Sequence, residues 1–230
     1  MKVNFNDFEE VFSPKQFSDI VFKTQYAKET IENCISGDWG FPGSGKCGII
    51  LYGHTGTGKT TLANLIPGWM EAKKTGETSP YVDSFDVISV EGAEILARIR
   101  SCLDHMPILG SYHYFVLNEI DSLGQGSAGA LKATMDAGRG RAVFVMTTNN
   151  ITKIDKAVLN RSHIVDFNAA PPEQWLPTVK KVLDHYSIKG IADHDLLPLI
   201  QGCQGSGREV LDISKRIVQR HYSNISAATI

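Results

Sequence analysis

The 230-residue chain has no run near the ~18 consecutive apolar residues that cross a bilayer, so no membrane-spanning helix is expected. Its N-terminus, "MKVNFNDFEEVF", is too acidic and too broken for a secretory signal. Cysteine is sparse: Cys34, Cys47, Cys102 and Cys203 are scattered without a CxxC pair. That spacing excludes a zinc knuckle and a disulfide framework, and suits reduced thiols in a cytoplasmic protein. Net charge is also lacking, with 23 Lys and Arg against 25 Asp and Glu, a balance of −2. Any nucleic-acid contact must come from a local basic face. No internal repeat is present, and no metal spacing links the histidines.

What is present is an ordinary globular composition, 42% hydrophobic and 21% charged, large enough for one substantial core with or without a small satellite. Residues 12–36 open with a Pro-containing turn and continue at helical spacing. Apolar runs of strand type follow at "GIILY", "FDVISV" (85–90), "YHYFVLN" (112–118) and "AVFVMTT" (142–148), separated by helical stretches such as "AEILARIRSCL" and "AGALKATMDA". This alternation predicts parallel crossover units, hence an α/β three-layer sandwich with a parallel sheet. After "NAAPPEQ" only helical patterns occur, so the expected division is an α/β domain over 1–169 and a helical domain over 170–230.

Two segments match Gly, four residues, Gly-Lys. "GFPGSGKC" ends in Cys47 where a metal-binding hydroxyl is needed, and it runs into a strand, so it reads as a coincidence of a Gly-rich loop. "GHTGTGKT" follows a strand and opens a helix. That is the phosphate-loop (P-loop) context: glycines turn successive N–H groups inward around phosphate oxygens, and the helix adds its positive end. Gly53, His54, Thr55, Gly56, Thr57, Gly58, Lys59, Thr60 and Thr61 are the candidate nucleotide-binding residues. Lys59 would neutralise the β- and γ-phosphates, and Thr60 would bind Mg²⁺.

A phosphate loop needs a second strand tipped with acids, one for magnesium-bound water and one to orient the attacking water. "VLNEID" supplies Glu119 for the water, with Asn118 standing in the magnesium position. Asp121 lies past the expected strand end and reads as a helix cap, with a supporting role beside Glu119 as the alternative. An amide in place of a carboxylate keeps one acceptor oxygen and removes a unit of charge, costing about 1–3 kcal/mol, or about 5- to 150-fold, in metal affinity or hydrolysis. A slow ATPase is the expectation.

The order "GHTGTGKT", "VLNEID", "AGALKATMDAG", "FVMTTNN", "LNRSHIVDF" and "GSGREVL" resembles an AAA+ ATPase, and the details resemble the small subunits of DNA-polymerase clamp loaders. "FSPKQFSDIVF", with Ile20 and Val21, is similar to the segment with which that family lines the adenine pocket. The resemblance implies ATP and Mg²⁺ as cofactors and a lid over residues 170–230. It makes Asn149 the sensor-1 residue near the γ-phosphate, Arg161 an arginine finger acting in trans in an oligomer, and Arg208 the sensor-2 arginine of the lid. "NRSH" lacks the Cys of the family's Ser-Arg-Cys motif, zinc-binding cysteines like those of bacterial relatives are missing, and no collar domain is expected after Ile230.

Arg98, Arg100, Lys132, Arg139 and Arg141 fall where the family's rings face a central channel, which would suit a phosphate backbone; solvated helix arginines fit the same positions equally. The resemblance thus implies Mg-ATP hydrolysis in DNA replication, recombination or remodelling of a DNA-bound protein assembly. Two alternatives stand beside it: a subunit that holds ATP without turnover, and a helicase loader or transposition regulator.

Overall fold

The computed structural model describes residue 5, residues 7–87 and residues 92–228. Five strands, β1 (Gly48–Tyr52), β2 (Val82–Asp86), β3 (His113–Asn118), β4 (Ala142–Thr148) and β5 (Ser162–Asp166), form one sheet in the order β2-β3-β4-β1-β5. Every pairing is parallel. Around it lie α2 (Gln25–Ser36), α3 (Lys59–Thr75), α4 (Gly92–Leu103), α5 (Gln125–Ala137) and α6 (Lys156–Asn160). α2 starts where the Thr24 side chain accepts from Ala27 N and stops at Gly37, whose φ of 74° needs no Cβ relief.

β4 and β1 are central and buried on both faces, which is why they read as continuous apolar runs. Alternation sends Ile50, Phe115, Leu117, Phe144 and Met146 toward Ile95 and Ile99 of α4 and Leu131 and Met135 of α5. The intervening side chains face α3 on the other side. There Tyr114 Oη donates to the buried Glu71 carboxylate at 2.9 Å, and Ser111 adds its N–H and hydroxyl, each at 2.8 Å.

Two strands depart from the sequence expectation. The run 85–90 was expected as a strand, but β2 lies at Val82–Asp86, and residues 88–90 fall outside the described residues. Pairing with Tyr114–Asn118 on one side only makes β2 an edge strand, which tolerates Asp83, Ser84 and Asp86 where an apolar pattern was sought. β5 was not anticipated. "SHIVD" is short and polar at both ends, and it becomes a strand through its register with Gly48–Tyr52.

The Gly-rich decoy behaves as a turn: Gly37, Gly40 and Gly45 have positive φ, and Lys46 Nζ donates to Ser162 O at 2.9 Å just before β1 begins.

The described residues divide into two compact units. One comprises 24–54 and 59–167, the sheet with α2 to α6; the other comprises the segment through Lys23, residues 55–58 and the chain from Asn168 onward. The second unit contains α1 (Phe8–Phe12), α7 (Pro172–His185), α8 (Asp193–Gly202) and α9 (Gly207–Ala228). Phe8 and Phe12 enter its core beside Trp175, Val179, Leu196 and Val210, which groups the N-terminal segment with these helices. No helix among the described residues is long and apolar enough to cross a membrane.

Candidate nucleotide site

In an open parallel sheet the carboxyl ends of the strands, at the point where strand order reverses, form the natural ligand crevice. Here β1 lies between β4 and β5, while β3 lies on the far side of β4, so the tips of β1, β3 and β4 share that edge. The candidate residues at these three tips belong to the sheet unit.

The β1 tip leads into Gly53 and His54, and α3 starts at Lys59. Gly56 and Gly58 take φ values of 86° and 96°, the left-handed conformation that glycine adopts without steric cost. The Lys59 side chain is 8% exposed, and its Nζ donates to Gly53 O at 2.8 Å and His54 O at 2.7 Å. Burial pulls the ammonium pKa below the ordinary lysine value, and the Glu119 and Asp121 carboxylates act in the opposite direction. Thr57 is buried, Thr60 exposed and Thr61 half-buried.

The β3 and β4 tips are cross-linked by two threonines. Thr147 Oγ1 accepts from Glu119 N at 3.1 Å and donates to Asn118 Oδ1 at 3.2 Å. Thr148 Oγ1 donates to Asp121 Oδ1 at 2.8 Å, and Asn149 N approaches the same oxygen at 3.4 Å. Asp121 is therefore not a helix cap: its carboxylate is a strand-tip cross-link. Glu119 takes φ 59° and ψ 47°, a left-handed turn that costs a non-glycine residue about 1–2 kcal/mol. That turn ends the strand abruptly and starts the 3-10 turn Ile120–Ser122. Sequence reasoning missed Thr147 and Thr148 and gave Asp121 mainly a capping role; the signal was "TTNN" on one strand answering "NEID" on another.

The sheet unit thus brings together Gly53, His54, Lys59, Asn118, Glu119 and Asn149 at one edge. Arg161 lies elsewhere. Its carbonyl accepts from Cys47 N and Gly48 N at the start of β1, so it sits one strand length, about 17 Å by ordinary strand rise, from the phosphate-loop edge. Its guanidinium is held by Asp136, Nε to Oδ1 at 2.8 Å and NH2 to Oδ2 at 2.9 Å, with NH1 donating to Ala157 O at 2.8 Å. In the helical unit, Arg208 is exposed in the first turn of α9, and Ile20 and Val21 are half-buried. Within that same unit Gly207 N donates to Gly56 O at 3.0 Å.

The basic residues considered for nucleic acid are mostly engaged in packing. Arg98 stacks over Phe85, and Arg100 donates to Thr134 Oγ1 at 3.1 Å. Arg141 donates to Leu103 O and Ala137 O, and Arg139 pairs with Asp136. Lys132 is exposed.

The family described as "ATPase family associated with various cellular activities (AAA)" matches residues 49–168, just over half of the 230-residue chain and nearly the whole sheet. The chain belongs to the AAA ATPase family. This AAA protein is 23% identical over 192 residues to DNA polymerase III subunit gamma of Buchnera aphidicola subsp. Acyrthosiphon pisum (strain APS), covering 74% of this chain and 51% of that protein. It is 20% identical over 219 residues to DNA polymerase III subunit tau of Bacillus subtilis (strain 168), covering 88% of this chain and 38% of that one. Replication factor C small subunit 2 of Pyrobaculum islandicum is 21% identical over 204 residues, with 88% and 61% covered. The chain therefore spans between 38% and 61% of the length of these relatives. Two structures of RuvB variants from Thermotoga maritima share the fold at TM-scores of 0.66 and 0.68 and 15% identity, covering 90% of this chain and 65% of those.

Membership of this family carries nucleotide binding. The donors at the edge also suit Mg²⁺, which takes oxygen ligands and retains several waters: the Thr60 hydroxyl, the Asn118 amide oxygen and the Glu119 and Asp121 carboxylates are all oxygen donors.

Proposed function

We propose that this AAA protein is a clamp-loader-like ATPase that binds and slowly hydrolyses Mg-ATP and works in an oligomer on DNA or a DNA-bound protein assembly. The observation that carries the reading is the convergence, at the edge of the sheet unit, of a carbonyl-held Lys59 at the start of α3 with Glu119 and Asn149.

Glycine-loop N–H groups and the start of α3 would hold the β- and γ-phosphates, with Lys59 supplying the fixed positive charge. Thr60 and Asn118 would hold Mg²⁺, which supplies charge neutralisation at the β- and γ-oxygens. Glu119 would orient a water whose oxygen attacks the γ-phosphorus as the bond from that phosphorus to the bridging oxygen of ADP breaks; the water's proton passes to the carboxylate and then to the phosphate released. Asn149 would contact the γ-phosphate, Arg208 would act as the lid arginine, and Arg161 would reach a neighbouring subunit's nucleotide. Ile20 and Val21 would line the adenine pocket. The division into a nucleotide-binding domain and a helical lid, and a cytoplasmic setting, belong to the same reading.

Steady-state phosphate release from Mg-ATP, with and without primed DNA, tests it. Native turnover that Glu119→Gln reduces by two orders of magnitude or more supports the assignment. Turnover unchanged in Glu119→Gln overturns it. One observation favours a second reading, a subunit that holds ATP without turnover: Asn118 Oδ1 is engaged by Thr147. In that case the native protein is silent and Asn118→Asp restores hydrolysis.

A further inference from the structure

We infer that Asp121 supplies the carboxylate that position 118 lacks, acting as the residue that positions magnesium-bound water at the sheet edge beside Lys59. The inference rests on the nucleotide site proposed above.

The backbone brings this acid into place. β3 ends at Asn118, Glu119 turns left-handed, and the 3-10 turn Ile120–Ser122 follows with Ile120 buried at 3% exposure. Asp121 consequently returns to the sheet edge instead of running on past it, and its Oδ1 takes the Thr148 hydroxyl at 2.8 Å. Oδ2 receives no hydrogen bond from a described residue, so one carboxylate oxygen is oriented by its partner and the other is left for a ligand. This is the arrangement of an outer-sphere acid whose second oxygen is fixed by a neighbour.

Asn118 is committed differently. The Thr147 hydroxyl accepts from Glu119 N, which directs its own hydrogen to Asn118 Oδ1. That bond fixes the amide and occupies one of the two lone pairs of its oxygen, leaving a single neutral acceptor where a carboxylate would offer two charged oxygens. The carboxylates sensed by the Lys59 ammonium are Glu119 and Asp121, so the edge keeps two negative groups although the first acid position is neutral. Two carboxylates let one orient the magnesium-bound water and the other the attacking water. The chain has moved one of them three residues along and secured it to the neighbouring strand.

The test is binding of a fluorescent ATP analogue, titrated with Mg²⁺ and repeated in EDTA, for the native protein, Asp121→Asn, Asn118→Asp and the double variant Asn118→Asp/Asp121→Asn. Asp121→Asn is expected to raise the half-saturating Mg²⁺ concentration about 10-fold or more while binding in EDTA is not weakened, because removing a carboxylate does not harm a metal-free anion. The double variant should return the magnesium requirement to near the native value. Asn118→Asp should lower that requirement more in the Asp121→Asn background than in the native one, and Asp121→Glu should retain it. An unchanged magnesium midpoint in Asp121→Asn, or equal effects of Asn118→Asp in both backgrounds, overturns the inference and leaves the nucleotide site standing. A native protein that binds no analogue under any condition overturns the nucleotide-site reading itself. Should Asp121→Asn fail to fold, Thr148→Val, which releases Oδ1 and keeps the charge, must raise the magnesium requirement in the same direction; no rise refutes the inference.

Discussion

Arg161→Ala is the substitution with the most to say, because its side chain has a visible role in the isolated chain and a proposed one in an assembly. The guanidinium makes two bonds to Asp136 and a third to Ala157 O. The side chains of Arg161 and Asp136 are 20% and 36% exposed, so the pair lies between a surface and a buried salt bridge. Exposed pairs contribute about 0.2–1 kcal/mol, and the fork geometry argues for the upper end. The carbonyl bond adds about 1 kcal/mol, for a total near 1.5–2 kcal/mol.

Urea unfolding of native protein, Arg161→Ala, Asp136→Ala and the double variant should give a coupling energy of about 0.5–1 kcal/mol. Arg161→Lys should recover part of the charge but not the fork. The Arg161 guanidinium also holds the Asp136 carboxyl below the usual carboxylate range. A depressed acid stabilises above its unfolded pKa, about 3.9, so the coupling should be present at pH 7 and fade as pH falls through the folded value. A coupling energy of zero at neutral pH would refute the pairing. Separately, mixing Arg161→Ala with a Lys59→Ala subunit should restore turnover if the arginine acts in trans. Stability loss with rescue shows that one guanidinium serves both roles, whereas stability loss without rescue makes it structural alone.

Glu71→Ala removes the acceptor of three hydrogen bonds and strands the buried Tyr114 hydroxyl, so a loss of about 3 kcal/mol is expected from urea unfolding, with a neutral effect refuting the network. Burial raises the Glu71 pKa, but the donors from Ser111 and Tyr114 outweigh it and leave the pKa lowered; its stabilisation is thus present above the unfolded value near 4.3 and is lost below it. His163 sits against Trp39 and Phe41, and burial, helped by Lys46, lowers its pKa to about 4. Between that value and the unfolded 6.5 the unfolded chain binds more protons, so stability should fall as pH drops across this window, and an imidazole NMR titration midpoint near 6.5 would contradict the burial argument.

Much of the fold was legible because β1 and β4 are sandwiched on both faces and carry uninterrupted apolar runs, and because the helical stretches between strands keep their own period. The edge strands were harder. β2 and β5 contain Asp83, Ser84, Ser162 and His163, and partners fixed their register where the pattern was weak. α1 was not read at all, since Phe8 and Phe12 acquire meaning only as part of the core of α7 to α9.

The sequence by itself determined the family and the glycine loop between β1 and α3, for a local reason: glycines, a lysine and a hydroxyl at fixed offsets between a strand and a helix are specified within eight residues. It also exposed Asn118 as a departure. Tertiary structure alone decided what surrounds that departure. Thr148 meets Asp121 across 27 residues and Thr147 meets Asn118 across 29, because parallel pairing sets the tips of β3 and β4 side by side. The pairing of β5 with β1 holds Arg161 at the other end of the strands, where Asp136 binds it.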